Sequence, residues 1–422
     1  MKTVLSLFSG CGGMDLGFEG DFDVLAASVN TKIHSDWLIP RYYKDWVRLR
    51  PTMFKTVFAN DVLQRAQSAW IPFFQRRGTQ PDVFHLGSII DLVKAKENGN
   101  EKIFPDKIDV VTGGFPCQDF SVAGKRRGFQ SHKDHNGALI TDFNEPTIEN
   151  RGMLYFWMKR VIEITRPKMF IAENVKGLTN LADTKAVIEN DFKNMGDSGY
   201  LVVSARIINA ADYGVPQTRE RVIFFGFLKS VLKPEALVAL NLNKIPGDFD
   251  PYPIITHLKV APNIEWGTKV PWVTAGAVLH DLKEPDGAID DLSQANYSKA
   301  RYYGNHCQGQ TEVQLDRPAQ TIRAEHHGNI EFRRLSKEHG GRITKELDKG
   351  LIERRLTVRE CARLQTFPDN YEFIRRKTNQ NEFILSESDG YRLIGNAVPP
   401  LLAYSIASRI QEIWYRLFKE QE

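Results

Sequence analysis

Short apolar runs alternate with longer amphipathic ones along the first half of the chain. TVLSLF (3–8), KTVFAN (55–60), KIDVVTGG (107–114), KMFIAENV (168–175) and RVIFFGFL (221–228) have strand length and read as buried strands. MDLGFEG, DVLQRAQSAWIPFFQRR and GMLYFWMKRVIEITR lie between them and read as helices. This alternation predicts an α/β fold, a mostly parallel doubly wound sheet with helices on both faces. In such sheets ligands sit beyond the carboxyl ends of the strands. The chemically suggestive residues of this chain fall at those places.

Two stretches interrupt the alternation. Residues 30–54 read as an insertion rich in aromatics and bases, and 130–150 as a long polar loop. Loops of that length tend to be functional or disordered. From about 230 the pattern changes. Prolines are scattered through 230–320 and no helical period is clear, which predicts a second, irregular domain. The last segment, GYRLIGNAVPPLLAYSIASRIQEIWYRLFK, ends in an apolar-periodic helix of about 22 residues. Such a helix docks on a sheet, and the evident sheet lies in the first half. The expected first domain is therefore discontinuous: residues 1–230 completed by 386–422. Residues 231–385 form the smaller domain, with a variable part at 231–315.

Composition narrows the picture. A chain of 422 residues is long enough for two domains with sizeable cores. No apolar run reaches membrane-spanning length. The opening MKTVLSLFSGCGG is too short and too weakly basic for a signal peptide, so a cytoplasmic location is the expectation. The four cysteines, Cys11, Cys117, Cys307 and Cys361, lie far apart, which argues against a disulfide framework or a zinc site. The formal charge is only +4. Its distribution is uneven: residues 301–377 hold sixteen Lys/Arg against eleven Asp/Glu, and GKRRGF follows one of the cysteines. Two basic regions of this kind favour a nucleic-acid substrate over simple solvated faces.

SGCGGMDLGFEG (9–20) joins the first strand to a helix. Its glycines let backbone N–H groups approach a ligand at a helix N-terminus, or simply form a tight turn. It is not the dinucleotide fingerprint, because Asp15 stands where that pattern needs Gly or Ala. FAND (58–61) ends the next strand in an acid. Asp61 can bond ribose hydroxyls or start a helix. Together the two suggest an adenosine-bearing cofactor.

GGFPCQDFS (113–121) sets Cys117 at the carboxyl end of a central strand, with basic residues nearby that would help hold a thiolate. AENV (172–175) ends an apolar strand in Glu173, an expensive place for a carboxylate unless it is paired or used. QTRERVIFFG (217–226) carries Arg219 and Arg221 on an extended segment entering a strand. A nucleophile, a proton donor and two guanidiniums at one sheet edge suit attack on an electron-poor ring.

With these motifs the chain resembles the DNA (cytosine-5)-methyltransferases of bacterial type II restriction-modification systems. LFSGCGG, FAND, GGFPCQDFS, RGMLYFW, AENV, QTRER, RLTVRECARLQTFPDNY and LIGNAVPP stand in the family's order and cover nearly all of the chain outside 230–315. The resemblance implies a Rossmann-like class I methyltransferase fold, S-adenosyl-L-methionine as cofactor and double-stranded DNA as substrate. Cys117 would add to carbon 6 of a cytosine flipped out of the duplex. Carbon 5 would then take the methyl group. Glu173 would bond ring nitrogen 3 and the exocyclic amine, and Arg221 would hold oxygen 2. Arg219, at a catalytic motif position, would brace the site or contact DNA. Gln118, Ser121 and Lys125 match DNA-contacting positions in the loop after the cysteine. Phe8, Gly10, Cys11, Gly12, Gly13, Asp61, Ser88, Ile89, Pro116, Leu154, Asn396 and Val398 match the cofactor pocket.

The sequence departs from the family at LGSII (86–90), where Ser88 replaces an acid that contacts the adenine amine. Asn30, in the insertion, competes with Asp61 for the ribose. Asp61 is preferred because it ends a clean strand. Cys361 reads as core, Cys11 and Cys307 are given no reaction, and His326 and His327 point to opposite faces of an extended segment, so no metal is expected. A monomer with a cognate restriction endonuclease acting on the same sequence completes the expectation. Two alternatives are a transfer-RNA methylating enzyme of the same fold and a catalytically inactive DNA-binding regulator.

Overall fold

A computed structural model describes residues 1–43, 45–116, 154–180, 184–196, 199–261, 266–288, 290–304, 308–324, 330–377 and 382–419. Cys117, Gln118, Ser121, Lys125, the 130–150 stretch, Cys307, His326 and His327 lie outside these residues.

The first half forms β1 (Lys2–Leu7), α1 (Gly13–Glu19), β2 (Asp23–Leu25), β3 (Leu38–Tyr43), β4 (Trp46–Leu49), β5 (Phe54–Asp61), α2 (Gln64–Gln75), β6 (Phe84–Leu86), α3 (Ile89–Glu97) and β7 (Val110–Gly113). It continues with α4 (Leu154–Thr165), β8 (Met169–Val175), α5 (Thr184–Lys193), β9 (Tyr200–Asn209) and β10 (Glu220–Leu228). Seven of the strands make one sheet in the order β6-β5-β1-β7-β8-β10-β9. From β6 to β8 every pairing is parallel. β10 alone is reversed, antiparallel to β8 and to β9. The mostly parallel α/β expectation is met, and β9 is an addition that the apolar runs did not announce.

The apolar runs arise because the central strands are covered on both faces. Alternate residues of β1 feed two cores. Val4 packs with Leu16, Phe18 and Leu401 on one side. Leu5 and Leu7 pack with Ile90 and Met158 on the other. The helix Pro400–Leu417 covers the first face and lies against α1. Contact is close enough that a Cβ on Gly17 would stand 2.4 Å from Ala403 Cβ and 2.4 Å from the Pro400 carbonyl oxygen. This helix is 18 residues long, shorter than its periodic pattern suggested.

The insertion has its own architecture. β2, β4 and β3 form a small antiparallel sheet. It is docked by aromatic contacts: Trp37 meets Tyr404 edge-on at 4.9 Å, and the Arg363 guanidinium lies 5.2 Å from the Trp46 ring.

Part of the basic excess of the later region is interior: Arg333, Arg334, Arg354, Arg355, Arg359 and Arg363 are all buried, while Arg301, Arg317, Lys337 and Lys345 are exposed. Arg354 bonds Glu360 at 2.8 and 2.9 Å and Glu284 at 2.9 Å. Arg334 joins Glu284 at 3.2 Å, Arg333 pairs with Glu346 at 2.6 Å, and Arg359 pairs with Asp291 at 2.7 Å. Arg363 bridges Asp281 and Asp369. Arg355 donates instead to main-chain carbonyls, among them Ala300 and Gly309 at 2.8 Å. Burial pushes the Glu284 carboxyl up, but the Arg354 and Arg334 guanidiniums hold it down at about 2. Cys361 is buried in the helix Val358–Leu364, beside this network, and burial pushes its thiol well up.

Candidate active site

Reversal of β10 decides the site. In a wholly parallel sheet the start of a strand lies at the edge opposite the ligand. Because β10 runs against β8, its first residues stand where the other strands end. Arg221 is opposite Val175, and Glu173 is opposite Ile223. Glu173 and Arg221 are thus diagonal neighbours on one face, within reach of long side chains. Arg221 Nε lies 2.7 Å from Glu173 Oε1, and both residues are buried. Pairing offsets the cost of burying either charge. Nη1 of Arg221 also donates to the Glu220 carbonyl at 2.8 Å.

β7 delivers the neighbouring loop. It ends at Gly113 and continues through Gly114, Phe115 and Pro116, the last residue described before Cys117. A Cβ on Gly114 would stand 3.0 Å from Glu173 Oε2, so the loop passes directly against the carboxylate. Asn174 Nδ2 donates to the Phe115 carbonyl at 3.2 Å and fixes that approach.

Arg219 takes a different course. Its guanidinium is fully buried and donates to the carbonyls of Ile322 (3.0 Å), Gly395 (2.8 Å) and Ala397 (2.9 Å). Gln217 does similar work, donating to the Leu364 carbonyl at 3.2 Å and accepting from Ile322 N–H at 2.9 Å. The first half of QTRER therefore ties three distant segments together. This geometry makes Arg219 a brace between these segments.

The glycine turn stands at the same edge, after β1. Phe8, half-buried, holds a φ of 54°, a strained value for a bulky residue. Three of the glycines are needed for three reasons. Gly10 has φ 55°, and a Cβ there would meet nothing within 4 Å, so its backbone is open to an approaching group. At Gly12 a Cβ would strike Trp70 and Phe74 at 2.6 Å. At Gly13 it would lie 2.3 Å from the Val398 carbonyl oxygen. Val398 is buried and the preceding Asn396 is exposed at the end of the helix Glu387–Asn396. Residues from the far end of the chain therefore sit over the turn.

Cys11 differs from its neighbours. Its thiol points inward to the Leu393 carbonyl at 3.5 Å, and burial pushes its pKa far up. Its own carbonyl accepts the Tyr371 hydroxyl at 2.5 Å. The Cys11 side chain is thus a core group.

Asp61 accepts from Gly10 N–H at 2.9 Å through Oδ2 and from Leu63 N–H at 2.9 Å through Oδ1. Burial pushes its carboxyl up against those bonds. Val62 N–H bonds the same carboxylate, so three backbone donors converge on it. Helix start and ligand acid are not exclusive here. Asn60 beside it donates to the carbonyls of His85 (2.8 Å) and Gly87 (3.0 Å), fixing the loop before α3. Ser88 caps α3, accepting from Ile90 N–H at 3.3 Å, with Ile89 buried behind it. Leu154 is buried at the start of α4, and Pro116 is half-buried. Asn30 is no rival to Asp61. Its amide donates to the carbonyls of Thr256 (2.9 Å) and Thr268 (3.0 Å).

Open space beside Gly10, the Asp61 carboxylate next to it and the half-exposed Phe8 fit a ribose-bearing group. Reading the motifs alone passes over Asn174, Asn60 and Gln217. Each is a polar residue beside a motif acid or base, within a buried stretch, and that adjacency is the available signal.

Comparison with known proteins follows this geometry. The family model for C-5 cytosine-specific DNA methylase matches residues 2–412. The chain is 31% identical over 418 residues to the type II methyltransferase M.BsuRI of Bacillus subtilis, covering 97% of this chain and 79% of that protein. It is 32% identical over 414 residues to M.BspRI of Lysinibacillus sphaericus, covering 97% and 81%. Among solved structures, a mutant of Spodoptera frugiperda DNMT2 aligns with a TM-score of 0.50 at 15% identity, covering 98% of this chain and all of that one.

Proposed function

The chain belongs to the C-5 cytosine-specific DNA methylase family, an S-adenosyl-L-methionine-dependent methyltransferase acting on DNA, and we propose that it methylates carbon 5 of a flipped-out cytosine in one double-stranded sequence through a covalent cysteine adduct. The observation that carries this reading is the Glu173–Arg221 pair at 2.7 Å, set against the loop that leads into Cys117.

In this reading the base enters edge-on above β8. Glu173 bonds nitrogen 3 and the exocyclic amine, and draws electron density from the ring as the Cys117 thiolate adds to carbon 6. Arg221 holds Glu173 in place and binds oxygen 2. Gly114 lets the cysteine loop pass against the carboxylate, and Asn174 fixes its height. The addition makes carbon 5 nucleophilic. The bound cofactor supplies an electrophilic methyl group. Loss of the carbon 5 proton with departure of Cys117 restores the aromatic ring. Gly10 and Asp61 would hold the cofactor's ribose side, and Asn396 and Val398 would close the pocket from the C-terminal segment. Gln118, Ser121 and Lys125 would contact the duplex.

We assign target choice to residues 231–315, within a smaller domain of 231–385 set against a catalytic domain of 1–230 and 386–422. The protein would act as a cytoplasmic monomer and protect host DNA from a cognate restriction endonuclease. The type II methyltransferase relatives support that role. Among the described residues no helix is long and apolar enough to cross a membrane.

Product analysis tests the reading. Purified protein is incubated with unmethylated DNA and methyl-labelled cofactor, and the labelled nucleoside is identified. Label in 5-methyldeoxycytidine is expected, lost in Cys117→Ser while DNA binding persists. Label appearing in transfer RNA alone would move the substrate to RNA. Turnover retained by Cys117→Ser would reject the adduct.

A further inference from the structure

Arg355 differs from the other interior arginines. It is 1% exposed and bonds no carboxylate among the described residues. A guanidinium without an ion partner is expensive to bury. Its donors go instead to main-chain carbonyls: Nε to Ala300 at 2.8 Å, Nη2 to Arg301 at 3.0 Å, and Nη1 to Gly309 at 2.8 Å and to Ile330. The Phe332 ring lies 4.1 Å from it. Two of these carbonyls stand at the start of the stretch 301–309, one at its end, and the fourth just before the strand Phe332–Arg334. Gln310, itself 1% exposed, adds another tie, accepting from the Tyr303 N–H at 2.8 Å.

The backbone fixed in this way carries side chains turned to solvent. Arg301 is exposed and Tyr303 is 63% exposed, and neither side chain has a bonded partner among the described residues. Tyr302 between them is half-buried and stacks on His339, with ring centroids 4.5 Å apart. The chain beyond Gln310 is tied to the reaction centre. Glu331 holds the Thr311 N–H at 3.2 Å. Ala319 accepts from the Thr218 N–H at 2.9 Å, and Ile322 from Arg219 Nη1 at 3.0 Å. The exposed pair is therefore registered, bond by bond, to the strand start that carries Arg221. A solvated face needs no such registration, and neither does a phosphate contact made by a long flexible side chain. Reading a base edge does need it, because the reading groups must be held to within about 0.5 Å. Arginine paired to guanine is the commonest specific contact in the major groove, and a tyrosine ring brings apolar area with a polar tip.

We propose that Arg301 and Tyr303 read base edges of the target sequence and that Arg355 is the positioning residue that sets their register. This rests on the reading of the chain as a sequence-specific DNA methyltransferase, and it names two reading side chains within 231–315. Arg355→Lys keeps the charge, but an ammonium on one stem does not serve carbonyls at both ends of the stretch. The double variant Arg301→Ala/Tyr303→Ala removes surface groups alone.

The wild-type site is first read by sequencing the cytosines that purified protein methylates in unmethylated bacterial DNA. Competition binding then compares a duplex holding that site with duplexes changed at one base pair, beside equilibrium dialysis with labelled S-adenosyl-L-methionine. The double variant is expected to lose about tenfold of its discrimination against a single base change, about 1.4 kcal/mol, with cofactor affinity held. Arg355→Lys is expected to lose discrimination at the same base pair. Unchanged discrimination in the double variant overturns the proposal. So does an equal loss on every duplex with a shallower salt dependence, which marks phosphate contact. Full discrimination in folded Arg355→Lys overturns the positioning role. If Arg355→Lys does not fold, the double variant decides alone. A wild-type protein that methylates no DNA overturns the underlying reading, a separate result.

Discussion

Arg221 Nε stands 2.7 Å from Glu173 Oε1 because the two residues are diagonal partners on antiparallel strands. One charge pair thus joins ENV to QTRER across a strand boundary. Replacement of Glu173 by Gln keeps the shape and removes the charge. We expect kcat to fall by about 10²- to 10⁴-fold, the usual contribution of a positioned acid, with duplex affinity kept. Steady-state kinetics beside DNA binding checks this. Near-normal kcat would remove Glu173 from the reaction.

Gly114 gives a finer test of the same geometry. A methyl group there would stand 3.0 Å from Glu173 Oε2, so the carboxylate or the loop must shift. The shift needed is a few tenths of an ångström, so Gly114→Ala should leave thermal stability close to wild type and lower kcat by less than the roughly 100-fold of a 1 Å displacement. Full activity in Gly114→Ala would show that the cysteine loop is not registered against Glu173.

Arg219 and Arg221 should part company. Arg219→Leu removes a donor from three carbonyls, of which Ala397 keeps Gln365 Nε2 at 3.4 Å. Each unmet group costs about 1–3 kcal/mol, so a loss of about 2 kcal/mol or more is expected in urea unfolding. A stable Arg219→Leu protein with no turnover would put this arginine in the reaction after all.

The buried ion network predicts acid sensitivity. Arg354 and Arg334 hold Glu284 at about 2, against an ordinary value of 4.5. A carboxyl lowered by folding contributes stability that is complete above its unfolded value and is lost as pH falls toward its folded one. Unfolding midpoints of wild type and Glu284→Gln should therefore differ most above pH 5 and converge between about pH 4.5 and 2. A constant difference across that window would detach Glu284 from the network. Glu360 is buried between Arg354 and Arg333, and Glu360→Ala should cost about 3–5 kcal/mol.

The central strands were legible because burial on both faces writes an unbroken apolar run. β9 was less so, since its last residues alternate between buried and exposed. The glycine turn could be read as a ligand loop, but the different duties of Gly10, Gly12 and Gly13 depend on Trp70 and Val398, which only folding brings near. Charge was the least readable signal. Six arginines between 333 and 363 look like a basic face in sequence and are interior struts in space, because their acids come from 281–291 and 346–369. Glu360 and Asp369 lie six residues after Arg354 and Arg363, but Glu284, Asp291 and Asp281 lie 50, 68 and 82 residues before Arg334, Arg359 and Arg363 and leave no local trace. The reversed β10 left none either, although it is what puts Arg221 at the active edge.

The contact of Gly13 and Gly17 with Val398, Pro400 and Ala403 has a consequence in time. The glycine turn is synthesised long before the helix Pro400–Leu417. Until that helix emerges, Leu16 and Phe18 lack its cover, and the glycine turn lacks the segment that closes over it. A nascent chain can complete its strands while the turn stays open, so closure of the turn waits on residues 398–417.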